Sequence, residues 1–238
     1  MSFRNFTNTM FSAKMLLTLL CGLVLVNLQA QDMRNCWTND YLEAAMQNDP
    51  ATAERMAAIE KHTEKYLDKL DDSQKAAAVI TIPTVVHVIY NTTAQNISEA
   101  QIQSQMQVLN DDFRRQNADA SNTPSAFAGV AADTEIEFCL ATIDPNGAAT
   151  TGVTRTSTNL TEFSTGSNCT ASSQPMKFTS GGGKDAWPAG AYLNMWVCNL
   201  GGGILGYAQF PGSGCDATDG VVMGYKYFGT VGQAQAPF

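Results

Sequence analysis

Two histidines, His62 and His87, are the only ones in the chain, and they lie 25 residues apart. A multi-histidine metal centre therefore cannot be completed by these residues alone. His87 sits inside an apolar run and reads as a hydrogen-bonded core residue. His62, among Lys61, Glu64 and Lys65, reads as exposed. No Ser/His/Asp set is visible for nucleophilic catalysis. Gly181-Gly182-Gly183-Lys184 lacks the earlier glycine of a phosphate loop and is followed by Asp185 where Ser or Thr is needed, so it reads as a turn. Gly201 to Gly206 opens no helix and is not a dinucleotide fingerprint. Asp216-Ala217-Thr218-Asp219-Gly220 offers paired carboxylates in a turn, which suit either calcium or plain solvation.

The cysteines carry more information once the amino terminus is considered. Arg4 and Lys14 precede an apolar run from Met15 to Val26, and Asn27-Leu28-Gln29-Ala30 ends it on a small residue. Charged start, short apolar middle and small-residue end predict a secretory signal over residues 1–30, with the mature protein secreted and not membrane-anchored. Cys21 leaves with that signal. Five cysteines remain: Cys36, Cys139, Cys169, Cys198 and Cys215. In an oxidising compartment the last four are disulfide candidates with three pairings open, and Cys36 is left over. Without the first thirty residues the chain has 12 basic and 22 acidic residues, a net charge of -10. Such a surface repels phosphate backbones and anionic lipid, so nucleic acid is excluded as a partner.

The elements that must position these residues fall into two stretches. Residues 31–78 are polar and helical, with Tyr41, Leu42, Ala45 and Met46 at helical spacing, a break at Pro50, and then Met56, Ile59, Tyr66, Leu67 and Leu70. That segment is too thin to fold alone and must lie on something larger. Asp71 to Lys75 is a polar break open to proteases. From residue 79 the composition turns β-branched and aromatic. Thr81 to Tyr90, with Pro83 near its start, predicts a strand buried on both faces. Ser98-Glu99-Ala100-Gln101 has capping-box spacing and opens a helix with Ile102, Met106, Leu109 and Phe113 on one face. Further strands are expected at residues 134–141, 192–200, 205–210 and 220–225, with a long structured excursion from Asp144 to Asp185. These elements describe a secreted helix-plus-sheet domain without a complete active site. A non-catalytic secreted binding module fits them as well as an enzyme does.

A resemblance moves the balance. At Ile82 to Tyr90, Leu109 to Arg115, Ile136 to Ala141, Gly152-Val153-Thr154-Arg155, Gly182 to Trp187, Leu193 to Leu200, Leu205 to Pro211 and Asp219 to Val222, the chain resembles pappalysin-type metzincins of the cytophagalysin and ulilysin branch. The likeness runs in unbroken order over residues 80–238. It implies an α/β (α+β) fold: a metzincin-like N-terminal subdomain with a twisted, mostly parallel five-stranded sheet and a backing helix, preceded by a helical prosegment. It also implies a secreted zinc-dependent metalloendopeptidase made as a latent zymogen, acting on polypeptides bound in extended form.

The family's zinc helix carries HExxHxxGxxH. That motif does not occur in this sequence, so the expectation is a fragment without catalytic residues, holding no zinc and showing no peptidase activity. By the same resemblance Gly206, Tyr207, Ala208, Gln209 and Phe210 form the edge strand to which substrate adds. Arg34-Asn35-Cys36 matches the family's Arg-x-Cys latency switch, in which the cysteine thiolate takes the fourth zinc position. Family members often have glycine after that cysteine; here it is Trp37.

Overall fold

The computed structural model describes residues 35–69 and 78–235. The signal at residues 1–30, Arg34, Leu70 and the Asp71–Lys75 break lie outside the described residues. The elements run β1 (Asn35–Cys36), α1 (Thr38–Asn48), α2 (Ala51–Leu67), β2 (Ile80–Tyr90), α3 (Glu99–Phe113), β3 (Ile136–Leu140), β4 (Val153–Ser157), β5 (Leu193–Cys198), β6 (Ile204–Ala208) and β7 (Val221–Gly224), with short 3-10 turns between them.

All seven strands join one sheet in the order β1-β6-β7-β5-β2-β3, with β4 also on β2. Every pairing is parallel except β6 with β7. The count exceeds the expected five for two reasons. β3 and β4 share one edge of β2, facing Ile80–Thr84 and Val86–Tyr90 in turn. And β1, from the predicted prosegment, extends the sheet beyond β6.

β2 is the central strand because β-branched residues pack well on both of its faces: Val85, Val86, Val88 and Ile89 are all fully buried. Pro83 lies three residues inside β2, not at its first position. It is tolerated because pairing to β5 begins only at Thr84, leaving one edge of the strand free there.

Side-chain alternation sorts the core into two layers. One holds Ile89, Trp196, Cys198, Tyr207 and Val222, together with Tyr41 and Ala45 from α1. The other holds Val86, Val88, Met195 and Val197 and is covered by Ile102 of α3 and by Phe228.

Ser98 caps α3, its Oγ accepting from the Gln101 N–H at 3.2 Å. The predicted return bond of a capping box is absent. Gln101 is buried instead, donating from Nε2 to the carbonyls of Tyr225 and Phe228 and accepting on Oε1 from Gln233 N–H. It ties the helix to the segment after β7. α2 departs from expectation in its second half, where Ile59, Tyr66 and Leu67 are exposed; Thr52 is its only buried residue among those described. Its attachment is polar, through Arg55 Nε donating to the Gly212 carbonyl at 2.8 Å.

Gly181–Gly183 is a turn, as its sequence indicates. A Cβ on Gly183 would meet the Met176 carbonyl oxygen at 2.1 Å, and Gly182 has φ +83°.

Candidate functional site: the β6 edge and the segment that covers it

β6 is the outermost strand of the sheet apart from β1, and β1 lies along its free edge. Asn35 aligns with Ile204 and Cys36 with Gly206, in parallel. Asn35 N–H donates to the Gly203 carbonyl at 3.4 Å and Trp37 N–H to the Gly206 carbonyl at 3.0 Å. Ala208 N–H donates to Thr38 Oγ1 at 3.2 Å. The edge groups of Gly206 and Ala208, expected to take an extended peptide, are thus satisfied by the chain's own amino-terminal segment. Gly206 allows β7 this close, since a Cβ there would stand 2.6 Å from the Val222 carbonyl oxygen. Of the expected edge residues, Gln209 and Phe210 lie just past the end of β6.

One row of residues crosses the sheet in register: His87 on β2, Trp196 on β5, Val222 on β7 and Tyr207 on β6. Tyr41 of α1 extends that row. Its ring stacks on Tyr207 with centroids 5.5 Å apart, and Trp37 meets both rings edge-on at 6.0 and 5.4 Å. Trp37 therefore has a packing role where family members often carry glycine. The Tyr41 hydroxyl donates to Gln209 Oε1 at 2.9 Å, and burial pushes its pKa up. Burying a large apolar side chain stabilises by roughly 1.5–3 kcal/mol, so two aromatic side chains hold more of this segment than the two-residue ladder does.

Beneath these rings lies Lys177, a residue that no sequence pattern singles out. It is fully buried, with Nζ donating to the Thr218 carbonyl at 2.6 Å and standing 5.1 Å from the centroids of both Trp196 and Tyr207. Burial lowers its pKa to about 7, against the opposing pull of Asp219. Burial likewise raises the Asp219 carboxyl. Desolvation thus outweighs attraction for both groups.

His87 is a core histidine, as expected. Asn194 fixes its protonation: Asn194 Nδ2 donates to the Trp187 carbonyl and Oδ1 accepts the Trp187 N–H, so the atom 3.0 Å from His87 Nε2 is an acceptor. Nε2 must carry the hydrogen, and Nδ1 accepts from Thr154 Oγ1 at 2.8 Å. Burial pushes the pKa down to about 4. With both nitrogens engaged, His87 is not a metal ligand.

Among the described residues no three His, Cys, Asp or Glu side chains are grouped to hold a metal ion. The thiol of Cys36 is exposed and lies 3.4 Å from Thr38 Oγ1. Calcium finds no support either: Asp216–Thr218 form a 3-10 turn, and among the described residues no third acidic, His or Cys side chain joins Asp216 and Asp219 there.

Of the four disulfide candidates, Cys169 and Cys215 are joined. Cys139 and Cys198 are not: Cys139 is exposed on β3 and Cys198 is buried on β5. They are two strands apart and about six residues out of step along β2, so roughly 10 Å and 20 Å separate them in the two directions, beyond disulfide reach.

Comparison with solved structures places this scaffold. Mature mirolysin of Tannerella forsythia, in complex with a cleaved peptide, matches at 54% identity and TM-score 0.62, over 68% of this chain and 58% of that one. A Tannerella forsythia promirolysin mutant matches at 46% identity and TM-score 0.70, over 86% of this chain and 64% of that one. The chain belongs to the pappalysin-type metzincins. A third structure, mirolysin in complex with compound 9, matches at 53% identity and TM-score 0.58. No protein-family model and no curated protein matches the chain. The chain spans about three fifths of the length of the metzincin structures it matches.

Proposed function

We propose that this chain carries the prosegment and the substrate-edge scaffold of a secreted zinc metalloendopeptidase made as a latent zymogen. The observation that carries the proposal is the seating of β1 on the free edge of β6, where an extended polypeptide would otherwise add. The comparisons support it. The mature mirolysin match covers 68% of 238 residues, about 162, and the promirolysin match covers 86%, about 205. The difference of about 43 residues is close to the length of chain from Asn35 to the start of β2. In our reading that stretch is the prosegment, which a zymogen has and a mature enzyme lacks.

In this reading residues 31–78 are the prosegment and residues 79–238 the first part of the catalytic domain. β6 orients substrate: the Gly206 carbonyl accepts a peptide N–H, and the Ala208 N–H donates to a peptide carbonyl. The prosegment denies substrate both groups. Cys36 is exposed at the end of β1, one residue before Trp37. The Cys36 thiolate serves as the latency ligand; Arg34, two residues earlier in the sequence, lies outside the described residues. Zinc, when bound in the whole protein, supplies an activated water; its other ligands are not among the described residues. The apolar run before Ala30 supports secretion, and among the described residues no helix is long and apolar enough to cross a membrane.

Cleavage at Lys75 followed by dilution tests the proposal. It should free the β6 edge and raise binding of fluorescein-labelled, reduced and carboxymethylated casein at least tenfold in anisotropy. Equal binding before and after the cut would overturn the zymogen assignment. Neither form of the 238-residue chain should hydrolyse casein with zinc added; chelator-sensitive hydrolysis would show that these residues hold the catalytic metal after all.

A further inference from the structure

We propose that the cavity filled by Tyr41 is a binding site for a tyrosine side chain of a bound polypeptide, on the sheet face opposite α3, once the prosegment has left. The proposal rests on the zymogen assignment for its biological use, but the site itself is defined by residues outside the prosegment.

Its floor is the Tyr207 ring, against which Tyr41 stacks at 5.5 Å with an interplanar angle of 25°. Its polar end is Gln209 Oε1, which accepts from the Tyr41 hydroxyl at 2.9 Å and from Thr218 Oγ1 at 2.7 Å. Lys177 Nζ stands 5.9 Å from the Tyr41 ring centroid, adding a cation to the aromatic box. A ring with a hydroxyl at its far end satisfies all three features. A phenylalanine ring leaves Gln209 one bond short, and an aliphatic side chain loses the stacking and the cation as well.

The walls do not depend on Tyr41. Lys177 Nζ donates to the Thr218 carbonyl and Tyr207 Oη to Gln174 Oε1 at 3.2 Å, so the loop at residues 168–177 is bonded to both β6 and the turn at 216–218. The Cys169–Cys215 disulfide joins the same two loops covalently. Departure of residues 35–69 removes the occupant and leaves the cross-linked walls. The site is also separate from the β6 edge. Edge recognition uses backbone groups of Gly206 and Ala208, whereas this cavity opens on the face that carries Trp196 and Tyr207.

Chemical rescue in the uncut full-length chain tests the site. Tyr41→Ala removes the atoms of phenol. Phenol at about 10 mM should raise the melting temperature of this variant by several degrees and leave the unsubstituted protein unmoved, with benzene giving less than half the shift. No shift with phenol, or an equal shift with benzene, overturns the proposal.

Should Tyr41→Ala fail to fold even with phenol, the pair Tyr41→Phe and Gln209→Leu decides. Non-additive losses support recognition of the hydroxyl by Gln209, and additive losses overturn it. Rescue by phenol in a protein whose β6 edge stays covered after cutting at Lys75 would keep the phenol site and refute the zymogen assignment. Uncovering of β6 without phenol rescue would do the reverse.

Discussion

Acid should loosen this protein through one residue, His87. In the fold its pKa is pushed down to about 4, against an ordinary value of 6.5, because burial disfavours the charged ring. Between those values the unfolded chain binds a proton that the folded chain does not, so stability is full above pH 6.5 and falls as pH drops towards 4. At pH 4.5 the linkage amounts to about 2.6 kcal/mol, and at pH 7 to about 0.2 kcal/mol, a loss of roughly 2.4 kcal/mol over the interval. Urea unfolding followed by far-UV circular dichroism at both pH values measures it.

The control is His87→Gln, whose amide can still donate to Asn194 but cannot charge. It should be less stable at pH 7, by about 1–3 kcal/mol, from lost packing on Trp196 and the lost bond to Thr154. Its further loss on going to pH 4.5 should be smaller than that of the unsubstituted protein by about 2 kcal/mol. Asp49 and Asp133, whose carboxyls are held below the usual range by Arg55 and Arg114, act in more acid solution and cancel in this difference. Parallel losses in the two proteins would refute the argument that His87 is neutral because it is buried.

Lys177 gives the opposite end of the pH scale. Its pKa of about 7 in the fold lies far below the ordinary 10.5, so stability should rise as pH goes from 7 towards 10, by up to a few kcal/mol, and Lys177→Met should flatten that rise. Thermal melts at pH 7 and pH 9 check it. For a chain starting after residue 30, thiol titration should find Cys36 and Cys139 reactive in the native state and Cys198 only after denaturation, since burial pushes the Cys198 thiol well above its usual range. Reduction of Cys169–Cys215 should add two thiols and cost about 4 kcal/mol, the chain-entropy value for a 46-residue loop, read from urea midpoints.

Much of the architecture was legible because it obeys simple periodicities. The doubly buried run Val85–Ile89 marked the central strand, and Ser98 with its apolar i, i+4 partners marked α3. β4 was hidden because Val153–Ser157 is a polar, half-exposed strand inside a Thr- and Ser-rich excursion, with neither alternation nor an apolar run to betray it. The disulfide pairing could not be read at all, since proximity of Cys169 to Cys215 depends on how two loops fold over β6. The free edge at Gly206–Ala208 came from family resemblance rather than from any local pattern. Tyr41 was seen as a helical core position, but nothing in the sequence tied it to Tyr207, 166 residues away, or placed the buried Lys177 beneath both rings. Such long-range meetings are properties of the register, not of composition.

The shortness of β1 has a kinetic consequence. Two residues of ladder and two aromatic rings give a modest intrinsic grip, which suffices while both partners belong to one polypeptide and meet at an effective concentration of about 1 mM. A single cut in the connection between residues 69 and 78 turns that meeting into an encounter between separate molecules. At nanomolar concentrations in the surrounding fluid, the freed piece would have some six orders of magnitude less chance of rebinding. Once the connection is cut, dilution makes the release irreversible.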